Sequence, residues 1–277
     1  MNESLKAIQD VEYELLQVVL DIVETYNLTA FAAYGTLLGT IRHRDFIPWD
    51  DDIDLLMMRN DYEAFISIAE TALPEGYHLQ NYKTDTSYDR YVTRVIKENT
   101  RIRLNSYESE NEMSIWLDIF PLDAMPSAPF KKKVHEKRIL FRRALYSFSS
   151  FEKTVNLNRP GRPAYQQAII RFCHKTHFGR NLDTRKQLDK LDKLLTKYDP
   201  VECSNIGCFL STYKRQDWPK ECFFPTDIKP FRDVWLTVPG QYHEILTSIY
   251  GDYMVLPPED KREIHHITVV DIPEDKA

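Results

Sequence analysis

The stretch Trp49-Asp50-Asp51-Asp52-Ile53-Asp54 sets four carboxylates within five positions, with apolar residues on either side. Like charges this close raise one another's pKa and resist burial, so a cation is the natural compensation. In an extended segment side chains alternate between faces, so Asp52 and Asp54 point one way and Ile53 points to the core. Two carboxylates at that spacing can jointly ligate Mg²⁺ (or Mn²⁺), a hard cation that takes oxygen ligands and keeps water or phosphate in its other positions. A solvated acidic turn whose Asp caps a helix would carry the same letters.

Two further stretches favour the metal. Upstream, the apolar run Ala30 to Tyr34 is ended by Gly35, and Thr36 is a candidate N-cap for the helix that follows. A strand-to-helix turn of this kind receives phosphate through backbone N–H groups and the helix dipole, so Gly35 and Thr36 are candidate phosphate contacts. Downstream, Ser114 to Phe120 alternates Ile115, Leu117 and Ile119 with Trp116, Asp118 and Phe120. An Asp in the middle of such a strand is costly without a partner. If this strand neighbours the one carrying Asp52 and Asp54, Asp118 joins them as shared metal ligand or general base in a site for phosphoryl chemistry. Arg42, His43 and Arg44, just before the acidic turn, could neutralise a bound phosphate or pair with the acids.

The elements that must hold these residues follow from periodicity. Residues 3–27 read as an amphipathic helix, with Leu5, Ile8, Val11, Leu15, Val18, Val19, Ile22 and Val23 at steps of three and four. Strands are expected at Ala30 to Tyr34, Ile53 to Met58, Tyr77 to Tyr82, Tyr91 to Lys97, Arg101 to Leu104 and Ser114 to Leu122, with a helix from Asp61 through Leu73. This is an α+β core with a mixed sheet of about five strands, over residues 1–125. Past Pro126 and Pro129 the pattern turns helical, at 130–150, 163–177 and 184–197, interrupted by the Arg159-Pro160-Gly161-Arg162-Pro163 turn. Short apolar runs return in residues 201–277, including Val234 to Val238, with a helix near 240–250.

Composition excludes a disordered chain, since 43% of residues are hydrophobic and 28% charged. No apolar run approaches the roughly 18 residues of a bilayer crossing, and the first ten residues lack the pattern of a signal peptide, so a cytoplasmic chain is expected. Cys173, Cys203, Cys208 and Cys222 are irregularly spaced and read as buried free thiols. Charge is polarised: residues 131–197 hold 18 Lys and Arg against 5 Asp and Glu, in a chain of net charge −6. That segment, 126–200, reads as a basic helical subdomain facing an anionic partner, or as a solvated basic surface.

The run from Tyr34 to Asp54, Tyr-Gly-Thr-Leu-Leu-Gly-Thr-Ile-Arg-His-Arg-Asp-Phe-Ile-Pro-Trp-Asp-Asp-Asp-Ile-Asp, resembles the signature of the LicD family of phosphocholine transferases. Trp116-Leu-Asp-Ile-Phe-Pro-Leu-Asp123 is similar to that family's second block, and Tyr250 to Arg262 with His265 and His266 to its C-terminal end. The similarity extends to fukutin-related ribitol-phosphate transferases, though this sequence lacks their cysteine-rich metal-binding segment. The resemblance implies a nucleotidyltransferase-like mixed sheet with flanking helices and the basic helical subdomain inserted, completed by residues 201–277. It implies Asp52, Asp54 and Asp118 as catalytic residues and metal ligands. Gly35, Thr36, Arg42, Arg44 and Trp49 are then the substrate-binding positions. The implied donor is CDP-choline or another CDP-alcohol. The acceptor would be a hydroxyl on an anionic lipid-linked glycan or teichoic-type polymer, with peripheral contact at the inner membrane face. Tyr82, Tyr88, Tyr91 and Trp116 could form a cation–π cage for choline, although core packing accounts for any one of them in a chain that is 12% aromatic.

Two other functions fit parts of the sequence. A glycosyltransferase could use the same acid pair on a sugar nucleotide, and it would release a nucleoside diphosphate rather than CMP. A non-catalytic protein could use the basic helices, with Phe130, Phe141, Tyr146, Phe148 and Phe172 among them, to bind nucleic acid or another anion. No nucleic-acid motif is present, and the acids have no task in that scheme, so a nucleic-acid partner is not expected.

Overall fold

The computed structural model describes residues 3–104, 112–151, 163–177, 179–210, 217–259, 262 and 267–272. Helix α1, Glu3–Thr25, buries the stripe Ile8, Val11, Leu15, Leu16, Val19 and Ile22. The chain leaves it through Asn27, whose φ of 52° is the left-handed conformation that Asn tolerates. The main sheet takes β1 (Ala30–Ala32), β2 (Asp54–Met58), β3 (Tyr77–Gln80), β4 (Thr93–Lys97), β7 (Trp116–Met125), β10 (Asp227–Phe231) and β11 (Val234–Val238). They lie in the order β10-β11-β1-β2-β7-β4-β3. Strands β8 (Asn205–Gly207) and β9 (Asp217–Pro219) extend it from the far end of β7. The C-terminal segment thus adds β10 and β11 beside β1. The sheet is mixed, since β2 runs parallel to β7 and β1 parallel to β11, while β1–β2, β4–β7 and β3–β4 are antiparallel.

One strand sits elsewhere than expected. Arg101–Leu104 (β5) leaves the main sheet and pairs with Glu112–Met113 (β6) and Ile267–Asp271 (β12) in a small second sheet. Alternation identifies a strand but says nothing of its neighbour, and the count of about five, made over residues 1–125, did not bring in β10 and β11, although the apolar run Val234 to Val238 is β11. The strand expected over Ala30 to Tyr34 also ends early, because helix α2 (Tyr34–Arg42) already begins at Tyr34.

Helix α3 (Arg59–Ala72) packs on β2, β3 and β7, and α7 (Tyr242–Tyr250) packs on α2. The basic helices are α4 (Pro129–Ser149), α5 (Ala164–Thr176) and α6 (Thr184–Leu195). Pro129 opens α4 where a missing N–H costs nothing, and Asp183 caps α6 by accepting from Lys186 N–H at 3.0 Å. Ile139 of α4 and Leu188, Leu191, Leu194 and Leu195 of α6 share a second core with Tyr82, Tyr91, Met125 and Phe209. A buried network pins α6 to the sheet. Arg59 donates to both Asp123 oxygens at 2.7 Å and to Asp192 of α6 at 3.2 Å. Such a pair holds position more than it adds net stability, because both charges give up hydration. The Arg159–Arg162 turn lies outside the described residues.

Candidate active site

The register of the sheet builds the site. Asp54 on β2 is the direct partner of Asp118 on β7, Asp118 of Arg94 on β4, and Arg94 of Gln80 on β3. Partnered residues share a face, so these four side chains form one row across four strands. The opposite face carries Leu55, Met57, Leu117 and Ile119, all fully buried. Burying that face dictates which way the acids point.

The turn after β1 is stitched to this row through the backbone. Ala33 N–H donates to Asp54 O at 3.0 Å, Asp54 N–H to Thr36 Oγ1 at 2.9 Å, and Asp118 N–H to Ile53 O at 3.0 Å. Thr36 was expected at the N-cap; the cap is Ala33, without a side-chain bond, and Thr36 lies inside the first turn. Its hydroxyl accepts from the strand rather than from its own helix. Gly35 faces the acids closely, since a Cβ there would lie 2.4 Å from Asp50 Oδ2. At Gly39 a Cβ would lie 2.6 Å from the backbone oxygen of Asp45, so that glycine lets the loop leading to the acids fold back on α2.

Asp50, Asp51 and Asp52 bring ligand oxygens within 4.8 Å of one another, the one such group of three found among the described residues. Asp51 is buried. Burial, then Asp52, Asp118 and Asp50, push the Asp54 carboxyl well above the usual range, while Arg94 pulls it down. A further acid joins from below. Glu12 of α1 is buried, with its Oε2 lacking a hydrogen-bond partner among the described residues, and its carboxyl is raised by burial and then by Asp52, Asp118, Asp51 and Asp54. Gln9, one turn earlier, donates to Asp50 O at 2.7 Å. An all-oxygen donor set whose carboxylates raise one another, with a buried carboxylate oxygen unpartnered among the described residues, fits a hard divalent cation.

Asp118 finds its positive partner in the protein. Arg94 Nε donates to Oδ1 at 2.8 Å, Trp116 Nε1 donates to Oδ2 at 3.2 Å, and the Arg94 guanidinium lies 4.1 Å from the Trp116 ring centroid. Sequence reading missed Arg94, Gln9 and Glu12. Their signals were present: a cation on the outward parity of β4, and two polar residues at helical spacing inside the apolar stripe of α1.

The remaining candidates divide. Arg42 donates to Tyr253 O at 2.7 Å and to His43 Nε2 at 2.9 Å, and burial lowers its pKa. Trp49 packs on the main core, with the Arg262 guanidinium 4.5 Å from its ring. Both therefore contact the C-terminal segment, so all three sequence blocks meet around the acidic loop. Arg44 is exposed, with φ of 58°, and its carbonyl accepts from Arg232 N–H at 2.8 Å. Nothing in these contacts ties its side chain to the carboxylates. His265 and His266 lie outside the described residues. The four aromatics do not converge: Tyr82 and Tyr91 stack at 5.8 Å in the second core, whereas Tyr88 and Trp116 line a cleft beside Arg94. All four cysteines are free and buried.

The sequence that builds this region has counterparts in known proteins. Residues 27–153 match the family described as LicD/FKTN/FKRP, nucleotidyltransferase domain, which covers the first two blocks. A lipopolysaccharide cholinephosphotransferase LicD of Haemophilus influenzae is 32% identical over 250 residues, 89% of each chain. An uncharacterized protein of Rickettsia prowazekii is 27% identical over 220 residues, 74% of this chain and 77% of its own.

Proposed function

The chain belongs to the LicD family, and from that membership and the carboxylate row we propose that it transfers phosphocholine, or a related phospho-alcohol, from a CDP-linked donor to a hydroxyl of a lipopolysaccharide or teichoic-type glycan. The observation that carries this reading is the pairing of Asp54 with Asp118 beside the Asp50–Asp52 cluster, directly against the Gly35 turn. Asp52, Asp54 and Asp118, with Asp50 and Asp51 adjoining, would hold Mg²⁺ or Mn²⁺. When bound, that ion neutralises charge on the donor diphosphate.

The backbone N–H groups at Gly35 and Thr36 receive the diphosphate at the start of α2. The acceptor oxygen attacks the distal phosphorus, the pyrophosphate P–O bond breaks, and CMP leaves. Asp118, oriented by Arg94 and Trp116, takes the acceptor's proton. No helix among the described residues is long and apolar enough to cross a membrane. We place the reaction in the cytoplasm at the inner membrane face. There α4 exposes Phe130, Val134 and Phe141, and α5 exposes Tyr165, Ile169 and Phe172, each at helical spacing among basic residues. That pattern suits an anionic lipid surface.

Incubation with a panel of CDP-alcohols and UDP-sugars plus Mg²⁺ or Mn²⁺ tests the assignment through the nucleotide released. CMP from a CDP-alcohol is the expected product. UDP from a UDP-sugar would replace the reading with a glycosyltransferase.

A further inference from the structure

Beyond Asp118, on the side away from the Gly35 turn, the row ends in a cleft of about 350 Å³ formed by β3, β4 and the start of β7. Its lining is donor-rich: Gln80, Tyr88, Arg90, Arg94, Ser114 and Trp116 all face it. Tyr88 is 8% exposed and its hydroxyl has no hydrogen-bond partner among the described residues, which is costly for a buried polar group. Arg90 makes no ion pair among the described residues. The carboxylate at the rim, Glu112, is already compensated by Arg101 at 3.4 Å and Arg103 at 3.2 Å. Arg94 and Asp118 balance each other, so Arg90 leaves the cleft with an excess positive charge.

A quaternary ammonium has no use for such a lining. One face of Trp116, a natural seat for a cation, is already taken by the Arg94 guanidinium at 4.1 Å. Two guanidinium groups, a phenol that burial keeps protonated and a Ser hydroxyl instead match an oxyanion with several acceptor oxygens. We propose that this cleft is the acceptor subsite and that it binds a phosphate monoester on the acceptor sugar, through Arg90, Arg94 and the Tyr88 hydroxyl. Its position as the acceptor's side rests on the transfer proposed above. With the nucleotide at the β1 end of the row, an in-line attack brings the acceptor in from the β4 end. Asp118 then stands between the two, within reach of the acceptor hydroxyl.

Calorimetric titration of the full chain, with neither donor nor metal present, tests the cleft by itself. The probes are inorganic phosphate, glucose 6-phosphate, glucose and choline. Phosphate and glucose 6-phosphate should bind, while glucose and choline should not bind at the same concentrations. Arg90→Gln and Tyr88→Phe, checked for unchanged melting temperature, should each weaken phosphate binding about tenfold or more, as expected for loss of a charge-assisted or buried hydrogen bond. Asp52→Asn should retain it, because that carboxylate lies in the acidic loop before β2, with β7 between β2 and β4 of the cleft. Phosphate binding insensitive to both cleft variants would locate the anion elsewhere and overturn the proposal. So would choline binding that Tyr88→Phe abolishes, or no phosphate binding at all. A chain that binds phosphate through Arg90 and Tyr88 yet turns over no CDP-alcohol would refute the donor assignment alone.

Discussion

Replacing Asp52 by Asn should make the metal-free protein more stable and the enzyme nearly inactive, a pairing of opposite signs that few structural residues would show. Asn is isosteric and keeps one acceptor oxygen. The bonds that fix the neighbouring strand, Ala33 N–H to Asp54 O and Asp54 N–H to Thr36 Oγ1, involve neither Asp52 atom and survive. The charge removed has oxygens within 4.8 Å of those of Asp50 and Asp51, and it is the foremost neighbouring charge raising both Asp54 and Glu12. Unit charges at about that distance repel by about 1 kcal/mol in water and several at an effective dielectric near 20. For a half-buried site with some relaxation, a gain of about 1 kcal/mol at pH 7 is expected, or about 2–4 °C in melting temperature for a chain of this size.

Divalent cation should have the converse effect. Mg²⁺ or Mn²⁺ at about a hundred times its Kd stabilises the native protein by about 2.7 kcal/mol, and the variant should lose most of that. Turnover should fall at least about a hundredfold, in keeping with electrostatic contributions of several kcal/mol. The assay is thermal unfolding of both proteins with EDTA and with saturating cation, alongside CMP release. A variant that melts several degrees lower without metal, or that shows the same metal-induced rise, would refute the reasoning, as would full activity.

Asp118→Asn should retain nucleotide binding while losing transfer; loss of nucleotide binding would make it chiefly a metal-site residue. Gly39→Ala should cost about 1–3 kcal/mol, because its Cβ meets backbone at 2.6 Å, whereas Gly35→Ala meets only the movable Asp50 carboxylate and should spare folding while weakening donor binding. His135 is buried with both ring nitrogens unpartnered among the described residues, and burial, with Lys197 and Arg138, lowers its pKa to about 4. The unfolded chain therefore takes up a proton below about pH 6.5 that the native state refuses, so stability is full above that pH and falls toward pH 4; His135→Phe should reduce the loss in unfolding experiments between pH 7 and 5. Sedimentation with anionic liposomes should show salt-sensitive binding that Lys131→Glu, Lys133→Glu and Lys137→Glu together abolish; Lys132 is unsuitable, being paired with Asp217 at 2.6 Å. Binding to neither kind of liposome would make α4 a plain solvated surface, and equal binding to neutral ones would refute the attraction to anionic headgroups.

Much of this site was legible in the sequence because it breaks local rules. Four acids in a row beside apolar residues, a glycine at a strand-to-helix turn and an Asp inside an apolar strand each announce a cost that needs a reason. The helices were equally readable, since α1 and α6 repeat their apolar residues at steps of three and four. What stayed hidden is whatever depends on neighbours. The pairing of β5 with β12, the arrival of β10 and β11 beside β1, and the pinning of Arg59 between Asp123 and Asp192 join residues far apart in the chain. Arg94, Glu12 and Tyr88 were invisible as site residues for the same reason, because a lone Arg, Glu or Tyr in a regular element is unremarkable until its partner, or its lack of one, is known.

The register between β2 and β7 shows where that cost was accepted. Burying Leu55 and Met57 with Leu117 and Ile119 sets only the parity of the pairing, because a slip of one residue would turn every side chain to the other face. A slip of two would keep the parity and set Asp54 opposite Trp116 or Phe120, relieving the repulsion between Asp54 and Asp118. The fold instead holds the two carboxylates abreast, with Asp118 N–H bonded to Ile53 O and Arg94 drawn in from β4 to steady one of them. A register that is locally the more expensive one, kept where a diphosphate and its cation would cancel the expense, is the strongest physical argument for the proposed reacting centre.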